Sequence, residues 1–449
     1  MKPNLIWARI CLASAWLLCA FAGSAQPVSQ ITSGWYHCLA LKSDGSLSGW
    51  GWNFGGQLGD GSINSTNRPE QILATGVTAI AGGLEQSLFI KTNGSLWAIG
   101  YNFYGQLGDG TYNQTNSPEQ IVPTNVTAVA AGSQHSLFLK SDGSLWAMGF
   151  NADGELGTGV YYTNNPFGTN RAQLVVASNV TAIAAGQFHS MFLKNDGSLW
   201  VMGTNNCGQL GDGGTNRVCQ PEEILTNGVQ AIAAGAGHSL FLKTDGSLWA
   251  MGNDQFGQLG DGSNNATNKP ELIVSNNVIA IAAGGYHSLF IKGDGSLWAM
   301  GDNGYGQLGA GGMAATNRPT QIVAGGVKTI AAGLYHSLFT KSDGSLWAMG
   351  YNSVGQLGDG LLNNTNLPEM ILGNPSFNQM SGQLLSGGKI RLTYAGFGGS
   401  NYAVDRTFNL APPHWLPLVT NPADTSGTLV YTNSPNPGTN NFWRVRSVP

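Results

Sequence analysis

The chain has 449 residues, enough for one large domain or two to three ordinary ones. Only 10% are charged, while 42% are apolar and 66 are glycine, which implies frequent tight turns and short strands, an all-β chain. The formal net charge of −4 has the wrong sign for phosphate neutralisation, and no block of Lys or Arg occurs, so nucleic acid is excluded as a partner.

Lys2 and Arg9 give the N-terminus a basic start, and Ile10 to Ala22 form an apolar run too short to span a bilayer comfortably. Gly23, Ser24 and Ala25 follow as a small-residue cleavage site. This pattern predicts a signal peptide over residues 1–25, removed before Gln26. The expected product is secreted, periplasmic or held at the cell surface, with no membrane span after cleavage. Cys38, Cys207 and Cys219 then remain, too few for a disulfide scaffold.

From Val28 to Leu372 one unit repeats seven times. Asp44, Asn93, Asp142, Asp196, Asp245, Asp294 and Asp343 mark it, at steps of 49 residues with a single step of 54. Each unit predicts four β-segments. The first resembles Val126 to Ala131, the second His135 to Lys140 and the third Leu145 to Gly149. The fourth is a weak segment near Glu119 to Val122, beginning after a proline. A Ser-Asp-Gly-Ser hairpin joins the second and third, where Asp and Gly tolerate positive φ. The second and third segments are nearly continuous apolar runs, as expected of strands buried on both faces. Terminal units that look like the middle ones favour a closed ring over a linear solenoid, which needs caps. Residues 26–373 are therefore expected to form a seven-bladed β-propeller of four-stranded blades. Residues 374–449 break the pattern and read as a small C-terminal β-sandwich-like module, with strand-like runs at Lys389 to Tyr394, Tyr402 to Asp405, Thr428 to Thr432 and Phe442 to Val445.

The stretches AAGSQHSLFLKSDGSLWAMG (residues 130–149) and GQLGDG resemble the repeat of the regulator of chromosome condensation family. The resemblance covers all seven units. It implies a seven-bladed propeller, in agreement with the count of units. It also implies two kinds of activity: nucleotide exchange on a small GTPase, and protein inhibition of β-lactamases by an exported branch. The closing Phe-Trp-Arg-Val strand is similar to C-terminal accessory modules of secreted bacterial proteins.

The residue types that usually carry chemistry read here as structure. His37, His135, His189, His238, His287 and His336 share one repeat position, with Gln86 in the second unit. Spread around seven blades, they are too far apart to converge on a metal and are expected to bond the backbone of their own blades. Asp60, Asp109, Asp212, Asp261 and Asp359 sit in Gly-Asp-Gly turns with too few neighbouring acids for calcium. Thr158 and Ala310 replace them in units three and six. Trp97, Trp146, Trp200, Trp249, Trp298 and Trp347 read as packing between blades. No catalytic constellation occurs, and neither enzyme activity nor any cofactor or metal is expected.

One rim of the ring is monotonous Asp-Gly turns; the other varies and is aromatic. Trp35, Tyr36, Phe188, Tyr286 and Tyr335 precede the histidine position, and Phe54, Phe103, Tyr104, Phe256 and Tyr305 precede Gly-Gln. Aromatic groups on loops of a rigid scaffold suit protein-interface anchors. Glu85, Asp153, Asp254 and Asp302 are expected to trim this mouth with acid. Cys207 and Cys219, in one rim loop of unit four, are predicted to form a disulfide, and Cys38 a buried free thiol. The expected function is a monomeric extracytoplasmic protein–protein interaction module. Guanine-nucleotide exchange on a small GTPase and a carbohydrate-binding or hydrolytic propeller are the alternatives.

Overall fold

The computed structural model describes residues 6–10, 26–164, 166–373, 380–385, 389–395, 401–407, 416–422, 428–433 and 441–447. The chain separates into two compact units, residues 26–372 and residues 1–25 with 373–449.

The first unit is a seven-bladed propeller of four-stranded antiparallel sheets, each built from one sequence repeat. The first blade comprises Val28–Ser33, His37–Lys42, Leu47–Gly51 and Thr66–Leu73, and the seventh Val327–Ala332, His336–Lys341, Leu346–Gly350 and Thr365–Leu372. First strands line the central channel, where Ala130, Ala184 and Ala233 keep the bore narrow but open. Second and third strands are buried on both faces, which explains their unbroken apolar sequence.

The core lies between blades. Leu88, Ile90, Leu96 and Leu107 of the second blade meet Phe138 and Met148 of the third, and the same arrangement recurs around the ring. At the closing seam Trp50 takes the methionine position. It is fully buried with Cys38 and Ile31 against Leu338, Leu346 and Leu357 of the seventh blade, and its Nε1 donates to the Gln356 carbonyl. The ring thus closes without exchanging a strand, through a contact of the same kind used everywhere else.

Two local expectations are corrected. The outermost strand begins at Thr115, three residues before Pro118. An edge strand tolerates proline because its outward N–H has no ladder partner, and the register jumps there between Ala98–Glu119 and Gly100–Thr115. In the hairpins only the glycine takes positive φ, as in Gly45 at 80°. Asp44 instead accepts the Ser46 N–H at 2.9 Å, fixing the turn from its side chain.

In the second unit, Met380–Leu384, Ile390–Ala395 and Thr428–Asn433 form one antiparallel sheet. Asn441–Ser447 pairs with Asn401–Thr407 and Ile6–Ile10 in another, with Leu416–Pro422 at its edge. Leu392, Ala403, Val404 and Leu429 are buried. Ile6–Ile10 falls within the expected leader, whose other residues lie outside the described ones.

Candidate interaction rim

Each first strand ends on one rim, and each third strand ends there too. The link between the first two strands and the third-to-fourth loop therefore share that face. Gly100 closes the third strand at φ 110°, where a Cβ would strike the Glu85 carbonyl, and the Tyr101 N–H donates to that same carbonyl at 2.8 Å. This glycine sets the two loops side by side.

The long loop is held by two buried amides. Asn102 Oδ1 accepts the Leu107 N–H, and its Nδ2 donates to Asp109 Oδ1, both at 3.0 Å. Gln106 Oε1 accepts the Tyr104 N–H at 3.0 Å. Rim side chains therefore stand on fixed backbone. The Gly-Asp-Gly carboxylates serve the same loops, since Asp109 also accepts the Thr111 N–H at 2.8 Å. Among the described residues no group of three or more His, Cys, Asp or Glu could hold a metal.

All ten rim aromatics are at least partly exposed, Phe54 at 66%, Phe103 at 45% and Tyr305 at 37%. They fall into arcs. Phe256, Tyr286, Tyr335, Tyr305, Tyr351 and Tyr36 are linked by ring contacts of 4.8–6.3 Å across blades five, six, seven and one. Tyr101, Phe103, Tyr104, Phe150 and Phe188 form a second chain over blades two to four, at 5.0–6.4 Å. Phe54 pairs with Trp52, and Trp35 lines the channel mouth. Tyr351, Tyr101, Phe150 and Trp52 were absent from the sequence expectation. Trp52, Tyr101 and Tyr351 directly follow the glycine that ends the third strand, and Phe150 follows the equivalent Gly149, a recurrent signal in the repeat.

The acidic trim is smaller than expected. Asp254 is fully buried in the position that Asn102 fills in blade two, and its Oδ1 accepts the Leu259 N–H at 2.8 Å. Burial, with Asp261 beside it, pushes its carboxyl up to about 7. Asp153 is neutralised by Arg217 at 3.0 Å. Burial also raises the Glu85 carboxyl. Asp302 remains on the rim.

The predicted disulfide is corrected as well, for Cys207 and Cys219 are both free thiols. Cys219 lies on the outer strand of blade four against Gly154 of blade three, whereas Cys207 lies near Gly237 of blade five. They face opposite neighbours. Cys38 is a buried free thiol, as expected.

The histidines serve the next blade rather than their own. His37 Nε2 lies 2.9 Å from Ser87 Oγ, and that hydroxyl donates to the Gln57 carbonyl at 2.8 Å. The hydroxyl proton is thus committed, so the imidazole donates from Nε2. The pattern repeats at His135–Ser190, His189–Ser239, His238–Ser288 and His287–Ser337. Gln86 Nε2 instead reaches the Gly132 carbonyl at 2.9 Å. On the opposite rim Trp97 stacks on Phe89 of its own blade, beneath the Lys91 ammonium, 3.7 Å from the ring centroid. Trp146, partly buried, also contributes to the interface between blades two and three.

A ring of seven such blades defines a β-propeller scaffold with one elaborated face. Residues 124–394 match the RCC1-like domain model, and residues 28–57, 44–90 and 93–139 match models of the regulator of chromosome condensation (RCC1) repeat. The chain belongs to the RCC1-like domain family.

Among curated relatives, the ultraviolet-B receptor UVR8 of Arabidopsis thaliana is 51% identical over 45 residues, 10% of either protein. The X-linked retinitis pigmentosa GTPase regulator homolog of Caenorhabditis elegans is 57% identical over 37 residues, 8% of this chain and 3% of the relative. These matches span only a small part of each relative. Human WBSCR16 superposes with a TM-score of 0.66 at 24% identity, covering 78% of this chain and 96% of the other. Prp20p of Saccharomyces cerevisiae gives 0.65 at 22%, covering 80% and 90%. At these identities the likeness concerns the fold.

Proposed function

We propose that this protein is an extracytoplasmic, non-enzymatic interaction module that holds a protein partner on its aromatic rim. One observation carries the reading: exposed apolar groups concentrate on that face. Of the thirteen large exposed apolar side chains described in the propeller, nine (Phe54, Ile63, Phe103, Tyr112, Val160, Tyr305, Met313, Leu361 and Leu362) belong to the loops of that face, while Leu174, Leu272 and Leu367 lie on outer strands and Ile279 on a first strand, and none of the described hairpin turns contributes one. Such groups on rigid loops cost little ordering on association. The basic, apolar and small-residue succession at Lys2 to Ala25 supports export.

Protein binding is also described for one fold neighbour, Prp20p (yeast RCC1): its binding properties to Gsp1p and histones, and its complex with Kap60. The test captures proteins from the extracytoplasmic fraction with the full chain and with Phe103→Ser/Tyr305→Ser. A saturable partner lost only with the double variant supports the reading. Undiminished capture by the variant, or a native protein that fractionates with the cytosol and retains Met1, contradicts it.

A further inference from the structure

Tyr286, Tyr305 and Tyr335 surround a rim pocket of about 490 Å³ with Phe256 and Asp302. Tyr335 is central, 5.9 Å from Tyr286 and 5.0 Å from Tyr305 between ring centroids. Asp302 supplies the wall's negative charge. Its Oδ1 accepts the Gly304 N–H at 3.0 Å and its Oδ2 accepts from Gln307 Nε2 at 2.8 Å, so the carboxylate is held in place. Burial, the neighbouring tyrosines and Asp302 keep the Tyr335 phenol neutral, with its pKa pushed up to about 12. The pocket therefore offers negative π-faces and an anchored carboxylate.

The same rim shows what such a combination holds. Arg217 places its guanidinium 4.5 Å from the Tyr161 ring centroid and 3.0 Å from Asp153 Oδ1, and also donates to the Ala152 carbonyl. Arg217 stands four residues before the outer-strand proline of its repeat, Pro221. The corresponding residue in the seventh repeat, before Pro368, is the neutral Asn364. Among the described residues no cation lies over Tyr286, Tyr305 or Tyr335, so the chain supplies an arginine at one tyrosine–carboxylate pair and none at the other.

We infer that the Tyr286–Tyr305–Tyr335–Asp302 pocket receives an arginine side chain of the protein partner, its guanidinium against the rings and the Asp302 carboxylate. This rests on the rim being the partner-binding face. Arginine is favoured over lysine because its planar, weakly hydrated head both stacks and forms directed hydrogen bonds. A phosphate or carboxylate would meet repulsion from Asp302.

The test titrates the full chain, carrying ¹³C-labelled tyrosine, with acetyl-Ser-Gly-Arg-Gly-Ser-amide and with peptides bearing norleucine or glutamate in place of arginine. The arginine peptide is expected to shift Tyr286, Tyr305 and Tyr335 saturably, and Asp302→Asn to weaken it about fivefold or more. Equal affinity for the norleucine or glutamate peptide overturns the inference on the unaltered protein, so it stays testable even if the variant folds poorly. Unchanged arginine affinity in folded Asp302→Asn overturns it too. A partner lost on Phe103→Ser/Tyr305→Ser yet indifferent to Asp302→Asn leaves the interaction reading standing and removes the arginine pocket. Selective arginine-peptide binding with no protein partner on the rim does the reverse.

Discussion

Ser33 Oγ and His336 Nε2 stand 2.6 Å apart across the seam where the last blade meets the first, although 303 residues separate them in sequence. Cys38 shares that nitrogen at 3.0 Å and donates to the Gln356 carbonyl at 3.2 Å. Elsewhere a serine fills the Cys38 position, so the seam uses a thiol plus a second hydroxyl where the other histidine joints use one hydroxyl.

Replacing His336 with Ala is therefore expected to cost about 1–3 kcal/mol, because it leaves Ser33 Oγ and the buried Cys38 Sγ of the first blade without their Nε2 partner. Cys38→Ser restores the hydroxyl found in the other repeats and is expected to change stability by less than about 1 kcal/mol. Denaturant midpoints at constant m-value decide this. Burial raises the Cys38 thiol pKa, so alkylation of the folded protein at neutral pH should spare it.

Acid should loosen the ring. Burial lowers the pKa of His37 and His189 to about 4, and of His135, His238, His287 and His336 to about 3, from 6.5. Between those values the unfolded chain binds more protons. Stability is full above pH 6.5 and falls as pH drops, by at most about 1.4 kcal/mol per unit for each ring. His287→Gln, copying Gln86, should flatten that limb in a urea-melt series from pH 7 to 4.

Glu155 should act in the opposite sense. It fills the buried glutamine position of blade three, with Oε2 accepting the Asp153 N–H at 3.0 Å, and burial pushes its carboxyl from 4.5 to about 8. The folded state holds the extra proton, so this contribution is complete below pH 4.5 and is lost as pH rises through 8. Glu155→Gln is expected to raise the melting temperature at pH 8 and leave it nearly unchanged at pH 4.5. Equal effects at both pH values would count against this assignment.

The repeat made the ring, the inner three strands and the aromatic face legible, because each rests on local chemistry repeated seven times. Partners across blades were not. Nothing within one unit shows that His37 reaches Ser87, or that Cys207 and Cys219 face different neighbours. Tyr351 and Tyr101 were missed because the residue after a strand-ending glycine looks like turn filler until the glycine's positive φ turns it onto the rim. Asp254 looked like surface acid because its repeat position is normally asparagine, whose burial is invisible in sequence. Leu416–Pro422 was missed because prolines read as breaks, although this strand lies at a sheet edge.

Trp298 separates core from rim. It stacks on Phe290 at 6.1 Å, its Nε1 donates to Ser296 Oγ, and the Lys292 ammonium sits over it at 4.1 Å. Trp298 is half-buried, so Trp298→Ala is expected to cost less than the roughly 3–5 kcal/mol of a fully buried tryptophan, and Tyr104→Ala less again. Thermal unfolding of the two variants decides; equal losses would mean that the rim rings are core.

One rim of the propeller, and not the other, is expected to meet a protein. A photo-crosslinking amino acid placed at Phe103 or Tyr305, and at Asp245 on the hairpin rim, compares the two faces in the native host whatever the partner's identity. Discrete protein adducts of one mass shift are expected from Phe103 and Tyr305, and none from Asp245. Adducts from Asp245 alone, or equally from all three, would contradict this.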